Sequence, residues 1–263
     1  ATSKLQTIEE LEQIATLGFR GEALASIAAV SDTTMISRPS SQDVAIKLQV
    51  VEGQIVNIKE QGFRLGTSIT VSNLFANFPA RRKFLGSAGS ESSKIVNICS
   101  KYAMAYSDVA WNLILGDKNK FSTPGNGQLD DAITGIYGAE LAENMLAIKR
   151  LPDSEISVGG LISSPNINRS NRSNINIFVN GRWVYSPLLN QAVIQGYHGF
   201  LKERRFPVCV IKIKINSSEV DVNVHPAKTE VRFLNSTEVF SAVQQGIRQT
   251  LVESSGIPRT ELY

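Results

Sequence analysis

Two cysteines in 263 residues, Cys99 and Cys209, are too few and too far apart to staple a fold. Neither belongs to a CxxC pair, and the only two histidines, His198 and His225, form no metal-ligand cluster with them. These absences exclude a disulfide scaffold and a zinc finger. Cys99 falls in a helical pattern and Cys209 in an apolar strand, so both read as buried thiols of a reducing compartment. Long apolar runs are also missing: each apolar stretch is strand-length or broken by charge, which excludes a membrane-spanning helix. The polar start, Ala1-Thr2-Ser3-Lys4, lacks the apolar core of a signal peptide. A strong charge excess is absent too. The net charge of +3 permits nucleic-acid binding without requiring it. There is no internal repeat and no low-complexity segment.

What is present is an ordinary apolar fraction, 42%, over a length that can bury two cores. Thr7–Leu17 reads as a helix, with Thr7 as N-cap, Glu10 three residues on, and Gly18 at its end. A second helix is expected over Gly21–Val30, where Leu24, Ile27 and Ala28 share a face. Strand patterns follow at Thr33–Arg38, Ala45–Glu52, Gln54–Glu60 and Thr67–Leu74, with Glu52-Gly53 as a tight hairpin turn. Pro79 opens a short helix and Ser90–Tyr106 forms a longer one. After strands at Trp111–Leu115 and Lys120–Ser122, the turn-rich run 122–127 marks a boundary, giving domains over 1–125 and 126–263. The second half reads as helix Leu129–Tyr137, strands Ala147–Leu151, Ile156–Ser163 and Ile175–Val179, and helix Pro187–Leu201. Strands Val208–Ile215 and Glu219–Val224 and helix Glu238–Glu253 complete it. Strands mixed with helices predict a two-domain α/β (α+β) fold. Basic residues gather at Arg81-Arg82-Lys83, Lys149-Arg150 and Lys202 with Arg204-Arg205. Arg169 and Arg172 sit in the polar stretch Ser163–Asn174, which reads as an exposed loop. Each such cluster alone reads as a solvated face.

Two segments carry more information. From Val220 to Phe233 the chain runs Val-Asp-Val-Asn-Val-His-Pro-Ala-Lys-Thr-Glu-Val-Arg-Phe. Val220, Val222 and Val224 alternate with polar residues as a half-buried strand requires, and Pro226 must end the ladder. Lys228 is therefore expected on a turn between two strands. A compact ammonium held there suits a terminal phosphate, although a lone lysine beside a turn reads first as solvated. The other segment, Gly18-Phe19-Arg20-Gly21-Glu22-Ala23-Leu24, sets two glycines before a helix. Glycines let a backbone approach a ligand closely, and open N–H groups at a helix start favour an anion. A glycine-capped loop is the alternative.

These strings occur in one order with Ala1-Thr2-Ser3-Lys4, Phe78-Pro79-Ala80-Arg81-Arg82-Lys83-Phe84-Leu85 and Val179-Asn180-Gly181-Arg182. Together they resemble the N-terminal ATPase region of the MutL family of DNA mismatch repair proteins, from Ala1 to about Gly256. The resemblance implies an incomplete gyrase/histidine-kinase/MutL-type ATP-binding sandwich, followed by a ribosomal-protein-S5-like α/β transducer domain. In that family the catalytic Glu and the magnesium-binding Asn lie on a first helix, followed by an Asp-x-Gly-x-Gly adenine loop. Neither has a match here, so the chain is expected to be an N-terminally truncated piece of a longer protein. No catalytic residue is then expected in it, and ATP and Mg2+ are expected only with that segment restored.

On the matching positions, Thr2 and Ser3 belong to a lid, where they reach the ribose or phosphates or else fray as a chain end. Gly18, Phe19, Arg20, Gly21 and Glu22 present backbone N–H groups to the phosphates, with Arg20 bracing the loop. Thr67, after Gly66, stands at the pocket floor or simply starts a strand. Lys228 reaches the γ-phosphate from the second domain, so domain orientation follows nucleotide state. Arg182 is implied in sequence-independent phosphate contacts to DNA; without the resemblance it is a hairpin-tip arginine. His198 and His225 receive no role. The implied partners are DNA, a mismatch-recognition protein, an endonuclease or the sliding clamp, a helicase, and a second copy on ATP binding. No membrane is implied, and the expected place is the cytoplasm, nucleoid-associated if bacterial. Two other readings stand beside this one. A type II topoisomerase ATPase region shares the lid, glycine loop and second-domain lysine but not the strings Phe78–Leu85 and Val220–Lys228. The other is a non-hydrolysing DNA-binding module. Removing the first helix and strand of a sandwich should uncover apolar surface, leaving Ala1–Ser122 less stable than the second domain.

Overall fold

The computed structural model describes residues 21–149, 156–221 and 231–255. Contacts divide the chain into two units, parting between Glu91 and Ser92.

In the first unit a six-residue helix, α1 (Ala23–Ala28), leads into β1 (Asp32–Arg38), β2 (Ala45–Val51), β3 (Gln54–Gln61) and β4 (Gly66–Ser72). These pair antiparallel in the order β3-β2-β1-β4. All four strands stand where alternation placed them. Glu52 and Gly53 take φ of 51° and 79°, both positive as a type I′ turn requires, and Val51 pairs with Gln54 across it. The helix expected over Gly21–Val30 is shorter at both ends, since Gly21 stands at φ 66°, outside helical space. Helix α2 (Pro79–Lys83) has its proline in the first turn. This unit buries little. Among its described apolar residues only Ala28, Ala45 and Val50 are buried, while Ile55, Val56 and Ile58 are 62%, 59% and 60% exposed.

Helix α3 (Ala88–Ala105) begins before the division and runs on into the second unit. There the hairpin of β5 (Ala110–Leu115) and β6 (Lys118–Pro124) precedes α4 (Leu129–Tyr137) and α5 (Ala139–Ala142). Next come β7 (Met145–Ala147), β8 (Ser157–Ser163), β9 (Asn168–Arg169), β10 (Ile175–Val179), β11 (Arg182–Val184) and α6 (Pro187–Gly196). The chain then forms β12 (Phe206–Pro207), β13 (Cys209–Lys214), a 3-10 turn at Ser217–Glu219, β14 (Val220–Asp221), β15 (Arg232–Phe233) and α7 (Ser236–Ser254). The main sheet runs β11-β10-β13-β8-β7, and within it only β10 and β13 are parallel. One face, with Val158, Ile162, Ile177 and Ile211, packs on α6 and α7 through Leu189, Val193, Val243 and Ile247. The other, with Leu161, Phe178 and Val210, packs on Met104 of α3 and Ile133 of α4. Covered on both faces, these strands are continuous apolar runs.

The turn-rich run 122–127 is not where contacts part. A Cβ on Gly135 of α4 would stand 2.1 Å from the Ser122 carbonyl oxygen, and Ser107 Oγ donates to the Gly127 carbonyl at 3.0 Å. Helix and hairpin are thus pressed into one body. The helix expected to reach Leu201 stops at Gly196, and Gly199 at φ 84° turns the chain away. Phe200 and Leu201 extend the apolar pattern because they still pack on the same core. The strand expected at Ala147–Leu151 is found at Met145–Ala147, and that expected at Glu219–Val224 is seen at Val220–Asp221. Cys209 is buried as expected, but Cys99 is only half-buried.

Candidate functional site

Thr2, Ser3, Gly18, Phe19, Arg20, His225 and Lys228 lie outside the described residues. The flanks of Lys228 are described: Val220 pairs with Phe233 and Asp221 with Arg232. Val220, Val231 and Phe233 pack on the α6/α7 core, so the connection carrying Lys228 begins and ends on an anchored pair.

Gly21 and Glu22 are exposed at the start of α1. Gly21 takes φ 66°, and Glu22 occupies the N-cap with no side-chain bond closing it. The first N–H groups of α1 therefore keep donors for an anion. The Glu22 carboxylate carries the same charge as a phosphate, so the backbone here and not the side chain is the fitting contact. Thr67 is exposed on β4, its Oγ1 2.8 Å from Ser37 Oγ on β1. Among the described residues no hydrogen bond joins Thr67 to Gly21 or Glu22. Backbone N–H groups and a hydroxyl fit the phosphate side of a nucleotide. For a metal, no group of three or more His, Cys, Asp and Glu that could hold one exists among the described residues.

Arg182 is better defined. It is the first residue of β11, paired with Val179 across a type I′ turn in which Asn180 and Gly181 take φ of 48° and 79°. The Asn180 amide clips this turn to β13: its Nδ2 donates to the Ile215 carbonyl at 2.9 Å, and Ile215 N–H donates to its Oδ1 at 3.1 Å. Tyr106, just after α3, donates its hydroxyl to the Gly181 carbonyl at 3.2 Å. Burial raises the Tyr106 phenol above its ordinary value, and the nearby Arg182 charge opposes that rise. Lys101 Nζ stands 3.5 Å from the centre of the Trp183 ring. Lys212 Nζ donates to the Ala105 carbonyl at 3.2 Å, near the end of α3. Burial lowers both ammonium groups below the ordinary lysine value. Lys101 and Lys212 thus lie toward the α3/α4 face of the sheet, with Trp183 and Phe178, while Arg182 stands opposite Val179, a residue of the α6/α7 face.

Residues 133–252 match the family model for the C-terminal domain of DNA mismatch repair protein. The chain is 42% identical over 258 residues to DNA mismatch repair protein MutL of Clostridium botulinum, strain Loch Maree, a match covering 97% of this chain and 39% of that protein. The chain belongs to the MutL family. It spans well under half the length of that MutL, so what the longer protein does is not thereby shown for it. Solved structures agree in fold. The crystal structure of the N-terminal domain of a DNA repair protein superposes with a TM-score of 0.76 at 24% identity, over 92% of this chain and 78% of that one. The MutL ATPase domain of Aquifex aeolicus, complexed with ADP, gives 0.60 at 21% identity, over 80% and 75%. At these identities the likeness is one of fold, and it matches the ATP-binding sandwich with an S5-like domain that the sequence implied.

Within this MutL-family chain, sequence reading missed Lys101, Tyr106 and Lys212. Lys212 carried a faint signal, being a cation inside the apolar run of β13. Lys101 and Tyr106 carried none, because only the packing of α3 beside the hairpin brings Tyr106 to Gly181 and Arg182 and Lys101 to Trp183.

Proposed function

We propose that this chain is the nucleotide-responsive, DNA-binding part of a mismatch repair factor, coupling ATP binding to dimerisation and partner recruitment. In this reading the nucleotide is served by the Thr2–Ser3 lid, the Gly18–Glu22 backbone and Thr67, and the transducer carries Lys228, directed to the γ-phosphate. Bound ATP supplies that phosphate; the chain's own part is to cradle it and to follow its loss with a change of domain orientation. In this reading the chain's part is to bind and respond to ATP, and no general base is assigned among its described residues. The partners in this reading are non-specific DNA, a mismatch-recognition protein, an endonuclease or sliding clamp, a helicase, and a second copy.

The observation that supports the DNA half is Arg182, whose backbone is set by a clipped turn beside Tyr106. A turn that fixes the Arg182 backbone leaves less freedom to lose on meeting a phosphate. Arg182→Glu is expected to weaken duplex binding and to lower the magnitude of the log–log salt slope by about 1. Unchanged affinity and slope would remove Arg182 from the interface. The nucleotide half is tested by titrating Mg-ATP calorimetrically into this chain and into a version preceded by the N-terminal segment of the Clostridium botulinum relative. Binding in the extended protein alone is the expected result; binding in neither would break the phosphate-clamp reading of Gly18–Glu22 and Lys228.

A further inference from the structure

The face that α3 turns toward the sheet is not uniformly apolar. Met104 is fully buried with Phe178 and Ile133, as an inward position should be. Asn97, Ser100 and Lys101 precede it by seven, four and three residues, so all four share one strip of the helix. The sheet adds a polar residue of its own: Asn176 is 2% exposed within the otherwise apolar β10. Burial raises the Tyr137 phenol, and a hydrogen bond shared with Asn176 opposes that rise. Among these groups lies a cavity of about 200 Å³, lined by Asn97, Ser100, Lys101, Tyr137, Asn174 and Asn176. Polar groups turned inward cost free energy unless something meets them, and apolar side chains at these positions would have closed the gap. The volume lies below the roughly 300–1,000 Å³ of pockets that take drug-sized ligands, so it suits a small polar metabolite.

The one amine in this wall is Lys101. Its Nζ lies over the Trp183 ring, and among the described residues it has neither a hydrogen-bond acceptor nor an acidic partner. Burial lowers its ammonium below the ordinary lysine value, which keeps more of it as the neutral, nucleophilic amine. Lys212 is lowered by burial too, but its Nζ is held by the Ala105 carbonyl at 3.2 Å. Trp183 Nε1 is a buried donor that meets no acceptor among the described residues. An acyl group on Lys101 Nζ gives up the cation–π attraction, but it removes a half-dry charge and brings a carbonyl oxygen within reach of that N–H. The Asn97, Ser100 and Asn174 side chains supply donors for a phosphate beside the amine.

We propose that Lys101 is a lysine acylation site, modified by a small acyl phosphate that the cavity holds through Asn97, Ser100 and Asn174. The Lys101 nitrogen attacks the carbonyl carbon, and a C–N bond forms. The bond from that carbon to the phosphate oxygen breaks, phosphate leaves with the electron pair, and the proton lost by nitrogen passes to it. The product amide is uncharged and lies beside Trp183. This chemistry is independent of the nucleotide and DNA readings above. It is tested by incubating the 263-residue chain with acetyl phosphate or, separately, with acetyl-coenzyme A, and following each lysine by peptide mass spectrometry. With acetyl phosphate, Lys101 is expected to be acetylated at least about ten times faster than the exposed Lys202, at a rate that saturates with donor concentration. Lys212 is expected to lag behind Lys101, because it has no place in the cavity wall. Acetyl-coenzyme A, whose nucleotide is too large for the cavity, is expected to show no such preference. Asn97→Leu is expected to abolish saturation and slow Lys101 about tenfold, with Lys202 unchanged. Should that variant melt early, Asn97→Asp, which keeps the shape but repels a phosphate, carries the same readout. Lys101 no faster than Lys202 with either donor would overturn the proposal, and that comparison needs no variant. An equal or greater preference with acetyl-coenzyme A would overturn the acyl phosphate as donor. Unchanged Lys101 acetylation in both Asn97 variants would overturn the part given to the cavity.

Discussion

Tyr197 and Cys209 lie in the α6/α7 core of the second unit, and both are acids that burial keeps protonated. Tyr197 is 2% exposed and donates its hydroxyl to the Ser163 carbonyl at 2.5 Å. Burial raises its phenol far above the ordinary range and pushes the Cys209 thiol up to about 12. In the unfolded chain both groups ionise near their ordinary values. From there upward the unfolded state holds fewer protons than the folded one, so alkali favours unfolding. The stability these two groups contribute is therefore complete below about pH 9 and is lost as pH rises toward 12. Each group contributes up to about 1.4 kcal/mol per pH unit in its window, Cys209 entering first and Tyr197 about one unit later. Urea melts between neutral pH and pH 11 check this. Cys209→Ala should remove one group's share of the slope above pH 9, and an identical slope in that variant would sink the assignment. The burial of Cys209 was legible in the sequence, since a cysteine inside an apolar strand has only the core to face. The half-exposure of Cys99 was not, because a helical pattern gives a face without saying how completely it is covered.

At the scale of elements, the Asn180-Gly181 turn sets where Arg182 stands. Asn180→Ala would leave the Ile215 N–H and carbonyl without the partners they have in the clip. Leaving such groups unpaired in a half-dry site costs about 1–3 kcal/mol. Chemical denaturation is expected to show that loss at an unchanged m-value, with DNA affinity falling as the turn loosens. A loss below a few tenths of a kcal/mol would mean that the turn type alone holds the hairpin. This turn shows what a sequence tells and what it withholds. Asn-Gly announces a hairpin, and β10, β8 and β13 announce themselves as apolar runs long enough to have a period. By contrast β9, β11 and β12 are two or three residues each, too short for any alternation, and β9 finds β12 only through a long-range pairing. The basic residues of those short strands were therefore legible as charges but not as a surface. The position of the division was hidden in the same way: glycines and proline mark the turn after β6, while the packing of α4 on β6 is invisible until both are folded.

At the scale of the whole molecule the two units differ in how much they bury. The second holds two apolar clusters, one on each face of its sheet, and fully burying each aliphatic side chain there contributes roughly 1.5–3 kcal/mol. The first has a sheet of similar strand length whose described apolar residues are mostly exposed on both faces, with three small or medium side chains inside. Pairing between strands alone does not hold a sheet together in water; an apolar face packed on something does. Opening β1–β4 therefore uncovers little that was not already wet, and its free energy should lie far below that of the second unit. Native-state hydrogen exchange reads this directly. Amides of β1 and β2, paired on both sides or next to such a strand, are expected to exchange at least about ten times faster than those of β10 and β13, a gap of about 1.4 kcal/mol or more. Equal protection in the two sheets would show that the exposed faces of β1–β4 are covered in solution. The same experiment repeated with the N-terminally extended protein separates the two causes: protection that rises only in β1–β4 identifies the added segment as what the open sheet lacks.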